Sequence, residues 1–180
     1  MRTERQLTKM ARLRKFSAYQ NLERPYTRIS KYTKKNFVRG GFPHKKIVRF
    51  NMGTEKKYDT MIRLNAGRSM NIRQEALESA RVVSNRYLEK SLGKNFHLLL
   101  KVYPFHVLRE NPLASGAGAD RMSTGMKMSY GKTIGAAARI RDGQTVFELR
   151  LDKKDVKVGR EALGRSATKL PCTCKVVVSQ

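Results

Sequence analysis

The 180-residue sequence contains no tryptophan, two cysteines, three histidines and only 14 acidic residues. Each shortage excludes something. Cys172 and Cys174 cannot build a disulfide scaffold. With one residue between them and no second pair, they fit poorly the two-to-four-residue knuckle of a zinc site. At i and i+2 of a strand they would share one face and pack there, with a metal or redox role as the alternative. His44, His97 and His106 stand in no HExxH pattern, and Glu110, Asp120 and Asp142 have no spacing that identifies a metal centre. Long apolar runs are missing too. Nothing reaches the roughly 20 residues that cross a bilayer, and no apolar h-region follows the N-terminus. An intracellular protein without a membrane partner is expected.

Nucleotide-binding glycine loops are absent in the same sense. GAGAD at 116–120 lacks the third glycine of GxGxxG and the GK[ST] ending of a Walker loop. The Gly-Lys-Thr at 131–133 has Met126 where a P-loop needs its first glycine, and a strand is expected to follow it. No catalytic constellation, cofactor site or metal site emerges, and the chain reads as no enzyme.

What is abundant is positive charge. Thirty-nine Lys and Arg against 14 Asp and Glu leave a formal net charge of +25. Such an excess opposes compaction unless a polyanion neutralises it. Nucleic acid is the natural candidate, since each phosphate contact releases condensed counterions. An anionic membrane would call for a basic amphipathic helix or a lipidation signal, and neither is evident. Residues 1–60 hold 17 basic and 4 acidic side chains, a net of +13, which leaves +12 for the remaining 120 residues. The charge is densest where apolar periodicity is weakest.

Residues 1–23 read as a basic N-terminal extension able to form a short helix on Leu7, Met10, Leu13 and Leu22. It is either a frayed tail or an arm that orders on RNA. The tract from Arg24 to Lys46 interleaves Tyr26, Tyr32, Phe37 and Phe42 with cations, a composition that suits base stacking and phosphate pairing or anchorage to a core. Lys46 to Met52 reads as a strand. Residues 71–92 are expected to be a helix, with Asn71 and Gln74 resembling a capping box and Gly93 a C-cap. Its stripe would be Ile72, Ala76, Ala80, Val83 and Tyr87, widened by Leu77 and Leu88, leaving Arg73, Arg81, Arg86 and Lys90 largely away from it. FHLLLKVYP alternates as a central strand. Residues 134–151 look like a hairpin around Asp142-Gly143. A helix over about 156–168 capped by Asp155, then a strand in CKVVVS, completes the order. The fold class is therefore α+β, an antiparallel or mixed β sandwich packed with two helices. Asn111 to Lys132 breaks the pattern, with glycines at 116, 118, 125 and 131 and methionines at 122, 126 and 128. It is too long for an ordinary connection and reads as a functional loop or a disordered insert.

YPFHVLRENP at 103–112 and GAGADRMSTGM at 116–126 carry a specific resemblance, flanked by KYTKKNFVRGGFPHKKIVRFNMG at 31–53 and EALGRSATKLP at 161–171. Together they resemble the archaeal L10e family of ribosomal proteins, counterpart of eukaryotic L10 and bacterial L16 (the universal uL16 family), over about Arg24 to Val178. RPYTRIS lacks the cysteine-containing tract common in that family, and residues 1–23 extend beyond its usual start. The resemblance implies a single rRNA-binding domain over 24–180, on the large subunit of a cytoplasmic archaeal-type ribosome, with a protruding loop at 111–132. RNA contacts would fall to Arg24, Arg28, Lys31, Lys34, Lys35, Arg39, Lys45, Lys46, Arg49, Arg73, Arg81 and Arg109. Arg121, Met122, Gly125, Met126, Lys127, Gly131 and Lys132 would shape the loop beside tRNA and the peptidyl transferase centre. The implied partners are large-subunit rRNA of the 23S type (5S-type RNA being a further candidate), aminoacyl-site tRNA and neighbouring large-subunit proteins, with no obligate homo-oligomer. Function would be structural, with a part in late subunit assembly. The rival reading is a free RNA-binding regulatory or assembly factor.

Overall fold

The computed structural model describes residues 16–22, 42–110 and 132–179. The dense basic tract at 23–41 and the glycine-rich segment at 111–131 lie outside them, and with them the expectations placed on Arg24, Arg28, Lys31, Lys34, Lys35, Arg39, Arg121, Met122, Gly125, Met126, Lys127 and Gly131.

Among the described residues the strands are β1 (Asn51–Gly53), β2 (Thr60–Ala66), β3 (Met70–Arg73), β4 (His97–Leu100), β5 (His106–Glu110), β6 (Lys132–Ile140), β7 (Thr145–Leu151) and β8 (Cys174–Ser179). The helices are α1 (Ser17–Gln20), α2 (Gln74–Leu92) and α3 (Val156–Ala167). One antiparallel sheet has the order β1-β4-β7-β2-β8 and a second has β3-β6-β5. The expected α+β architecture of antiparallel sheets with packed helices is what forms.

Period-two patterning explains the larger sheet. In β2, Ile62, Leu64 and Ala66 are buried while Arg63 is exposed, and Phe147 and Leu149 of β7 lie opposite Leu64 and Ile62. Leu98 and Leu100 of β4 complete the row on the far side of β7. Each fully buried side chain of this size contributes roughly 1.5–3 kcal/mol relative to exposure. Over this face lies α3, whose buried Gly159, Ala162, Leu163 and Ser166 recur at three and four residues. Gly159 marks the closest approach, since a β-carbon there would stand 2.5 Å from Leu151 Cδ2 and 2.8 Å from Ile62 Cδ1. Gly53 is fixed by its backbone instead. Its φ is +83°, and a β-carbon would sit 2.0 Å from the Phe96 carbonyl oxygen.

Four expectations are corrected. The hairpin at 134–151 does not form, because β6 pairs with β3 and β5 while β7 pairs with β4 and β2. The Asp142-Gly143 turn, with Gly143 at φ +73°, carries the chain from one sheet to the other. The hairpin that does exist joins β5 to β6, with Glu110 opposite Lys132. Its connection is residues 111–131, the segment expected to be a functional loop. Second, Asn71 is no helix cap. It lies buried in β3 and donates from Nδ2 to the Asn21 carbonyl, while Gln74 opens α2 and binds backbone groups of the 42–50 segment. Third, the buried face of α2 is Gln74, Leu77, Ala80, Arg81, Ser84 and Leu88, rotated from the stripe expected. Fourth, residues 42–50 run without regular structure, and only Asn51–Gly53 of the Lys46–Met52 expectation pairs as strand. The Gly93 C-cap holds, with φ +62° and its N–H donating to the Glu89 carbonyl. Asp155 precedes α3 as expected, though its side chain makes no cap bond.

Candidate nucleic-acid interface

The 42–50 segment brings Lys46 to the start of α2. Gln74 is the fastening point. Its Nε2 donates to the His44 carbonyl at 3.4 Å, and its Oε1 accepts from the Lys46 N–H at 3.2 Å. Ile47 is buried beneath the segment, and the Leu100 N–H donates to the Phe50 carbonyl at 2.9 Å, tying the far end to β4. Lys46, Val48 and Arg49 of this anchored segment are left at the surface.

Glu75, in the first turn of α2, sits between Lys46 Nζ at 3.0 Å and Arg73 Nη2 at 3.4 Å. Partial burial by itself would raise its pKa. The Lys46 hydrogen bond, its own backbone N–H and the charges of Arg73 and Lys46 outweigh that, and hold the carboxyl below its ordinary value. The triad keeps a net positive charge and fixes two of the expected cations in place. Lys45 lies inward of it, with Nζ donating to the Pro104 carbonyl and standing 5.5 Å from the centre of the Tyr103 ring. Burial lowers the Lys45 pKa.

Two further expected cations fall elsewhere. Arg81, expected on the outer side of α2, is 9% exposed. Its guanidinium binds both Glu78 oxygens and reaches Met52 Sδ at 3.3 Å, so it braces α2 against β1 with no open fork for a phosphate. Arg109 lies on β5 opposite Thr133, one residue from the Glu110–Lys132 pair at the base of the 111–131 connection. The described loop residue, Lys132, stands at that same base.

Reading the sequence missed Phe50, Tyr103 and Phe105. The Phe50 and Tyr103 rings stack at 5.3 Å and 21°, and Tyr103 and Phe105 meet at 4.5 Å and 46°. Tyr103 is 40% and Phe105 64% exposed. The available signal was three aromatics within acid-free basic stretches; reading Tyr103 as a strand residue concealed it, since β4 ends at Leu100. A second basic border surrounds an open cleft lined by Leu22, Arg139, Arg141, Asp142, Gly143 and Gln144.

Among the described residues no group of three or more His, Cys, Asp or Glu could hold a metal ion. The Cys172 and Cys174 sulfurs lie 3.7 Å apart as free thiols, both packed at the border of the core. The Cys174 hydrogen bond favours the Cys172 thiolate and lowers its pKa to about 7, while Cys174 is pushed up. Among the described residues no helix is long and apolar enough to cross a membrane.

Comparison with known proteins places this cation-rich surface in a family. Residues 27–177 match the family model described as ribosomal protein L16p/L10e. The large ribosomal subunit protein uL16 of Picrophilus torridus is 43% identical over 161 residues, covering 87% of this chain and 91% of its own length. The protein of the same name from Staphylothermus marinus is 44% identical over 158 residues, with 86% and 90% covered. That from Archaeoglobus fulgidus is 38% identical over 164 residues, with 90% of each chain covered.

Proposed function

The chain belongs to the ribosomal protein L16p/L10e family, and from that premise we propose that it is a structural constituent of the large ribosomal subunit that binds large-subunit rRNA. The match across residues 27–177 is the observation that carries the reading, and the net charge of +25 supports it. Lys46 and Arg73, held together by Glu75, with Lys45 and Arg49 on the same 42–50 segment, meet phosphate and position the protein on RNA. Residues 24–180 act as one rRNA-binding domain, with 1–23 as an extension. Neighbouring large-subunit proteins complete its surroundings on the cytoplasmic ribosome. The 111–132 connection organises the aminoacyl-tRNA site near the peptidyl transferase centre, and the protein acts late in subunit assembly. Peptide-bond formation stays with RNA.

The geometry of β5 and β6 makes the loop's role separable from the fold. Their pairing runs to Glu110 and Lys132, so a short turn can replace what lies between. Replacing residues 113–130 by a short linker is expected to leave thermal stability nearly unchanged while subunits carrying the variant lose tRNA binding and peptide synthesis. Unchanged tRNA binding and synthesis in such subunits would overturn the loop's assigned role.

A further inference from the structure

We infer that Phe50, Tyr103 and Phe105 form a stacking platform for an unpaired RNA base, a contact that deepens the rRNA-binding reading and rests on it. The three rings make a stepped ladder held from below. The Phe50 carbonyl accepts from Leu100 N–H, and the Phe105 N–H donates to the Tyr103 carbonyl at 3.0 Å. That tight turn projects Phe105 outward, 64% exposed, while the half-buried Phe50 ring backs Tyr103. Rings fixed in this way lose little conformational freedom when a base lands on them, and base–aromatic stacking tolerates any base because each has a π-face.

Charge decides which partner fits. Residues 42–54 and 94–109 contain no Asp or Glu but include Lys45, Lys46, Arg49, Lys94, Lys101 and Arg109. Glu75 and Glu148 approach from other elements and pair with Lys46 and Lys101. Among the described residues, neither Lys45 nor Arg49 has a carboxylate partner. The cores of protein–protein interfaces are depleted of lysine, whereas single-stranded nucleic acid is held by aromatic rings among cations that track its backbone. A base on Phe105, with its phosphate drawn toward Lys45 and Arg49, satisfies both features of this surface.

The absence of tryptophan from the chain supplies the test. Phe105→Trp introduces a single indole at the outer ring, and a base stacked on it quenches its emission. The full-length protein carrying F105W is titrated with a large-subunit rRNA transcript, in parallel with filter binding of the wild type, F105W and Phe105→Leu at several salt concentrations. Saturable quenching is expected, with F105W binding as the wild type does. F105L should lose affinity by about tenfold without changing the slope against log salt, because stacking releases no counterions. Binding without quenching, with F105L unaffected, would overturn the platform and leave the rRNA reading standing. Failure of the wild type to bind the transcript would remove both. Burial of the indole by a large-subunit protein added without RNA would make the ladder a protein contact and overturn the inference.

Discussion

Glu148 is one of few anions in a strongly cationic chain, and its surroundings give it a measurable weight. It is 5% exposed and accepts from Arg150 Nε at 3.0 Å and Nη2 at 2.7 Å, with Lys101 Nζ 3.5 Å away. Burial alone would raise its pKa, but the Arg150 hydrogen bond and the charges of Lys101 and Arg150 outweigh it and hold the carboxyl below its ordinary value. A carboxyl depressed in the folded state stabilises the fold fully above its unfolded-state pKa. That stabilisation is lost as pH falls through the folded-state value. Glu148→Gln removes the charge between two cations and is expected to cost about 1–2 kcal/mol at neutral pH. The deficit should shrink toward zero well below the carboxylate range, as urea denaturation at neutral and acid pH would reveal. An equal deficit at both would mean that shape and not charge matters at this position. Arg81 teaches the complementary lesson. Its charge placed it in an interface when read from sequence, yet its guanidinium is consumed by Glu78 and Met52, and burial cannot be read from residue type.

Among the elements, α3 carries two glycines that the sequence does not distinguish. Gly159 faces Leu151, Ile62 and Leu149, all fully buried, whereas a β-carbon at Gly164 would meet nothing within 4 Å. Gly159→Val should therefore overpack the helix–sheet contact and cost about 1–3 kcal/mol. Gly164→Ala should stabilise the protein by about 0.5–1 kcal/mol through helix propensity alone. Denaturant titration of the two variants reads both, and a tolerated Gly159→Val would show that α3 does not sit where described. Local signals placed α3, β8, the Gly93 cap and most of α2 correctly because each depends on a few neighbouring residues. They failed at Asp142-Gly143, where a hairpin and a sheet-to-sheet crossing share one turn. The choice rests on distant partners, β5 for β6 and β4 for β7. The Asn71–Gln74 spacing failed for the same reason. Pairing of β3 with β6 extends to Arg73 and takes the residues that a capping box would need.

At the scale of the whole molecule, the sheets and helices build one buried cluster, which reaches from Ile47 to Leu170. The surface over it carries a charge that opposes its own compaction. Family membership identifies the ribosome as its setting, where the proposed rRNA contacts would resolve that opposition. Charge alone already pointed to nucleic acid as the partner. Within the candidate site, the cations at 45, 46, 49 and 73 could be named from the sequence, being both basic and close to the recognisable motifs. The ring ladder could not, because Phe50 lies 53 residues from Tyr103 in sequence and only the fold brings them together. The most direct measurement is sedimentation of the tagged protein from cell lysate before and after a high-salt wash, with RNA crosslinks mapped in each fraction. Retention in the large-subunit fraction through the wash is expected, with crosslinks from residues 111–132 near the peptidyl transferase centre. A protein found mainly in light fractions, crosslinked to other RNAs, would contradict it and make this chain a free RNA-binding factor.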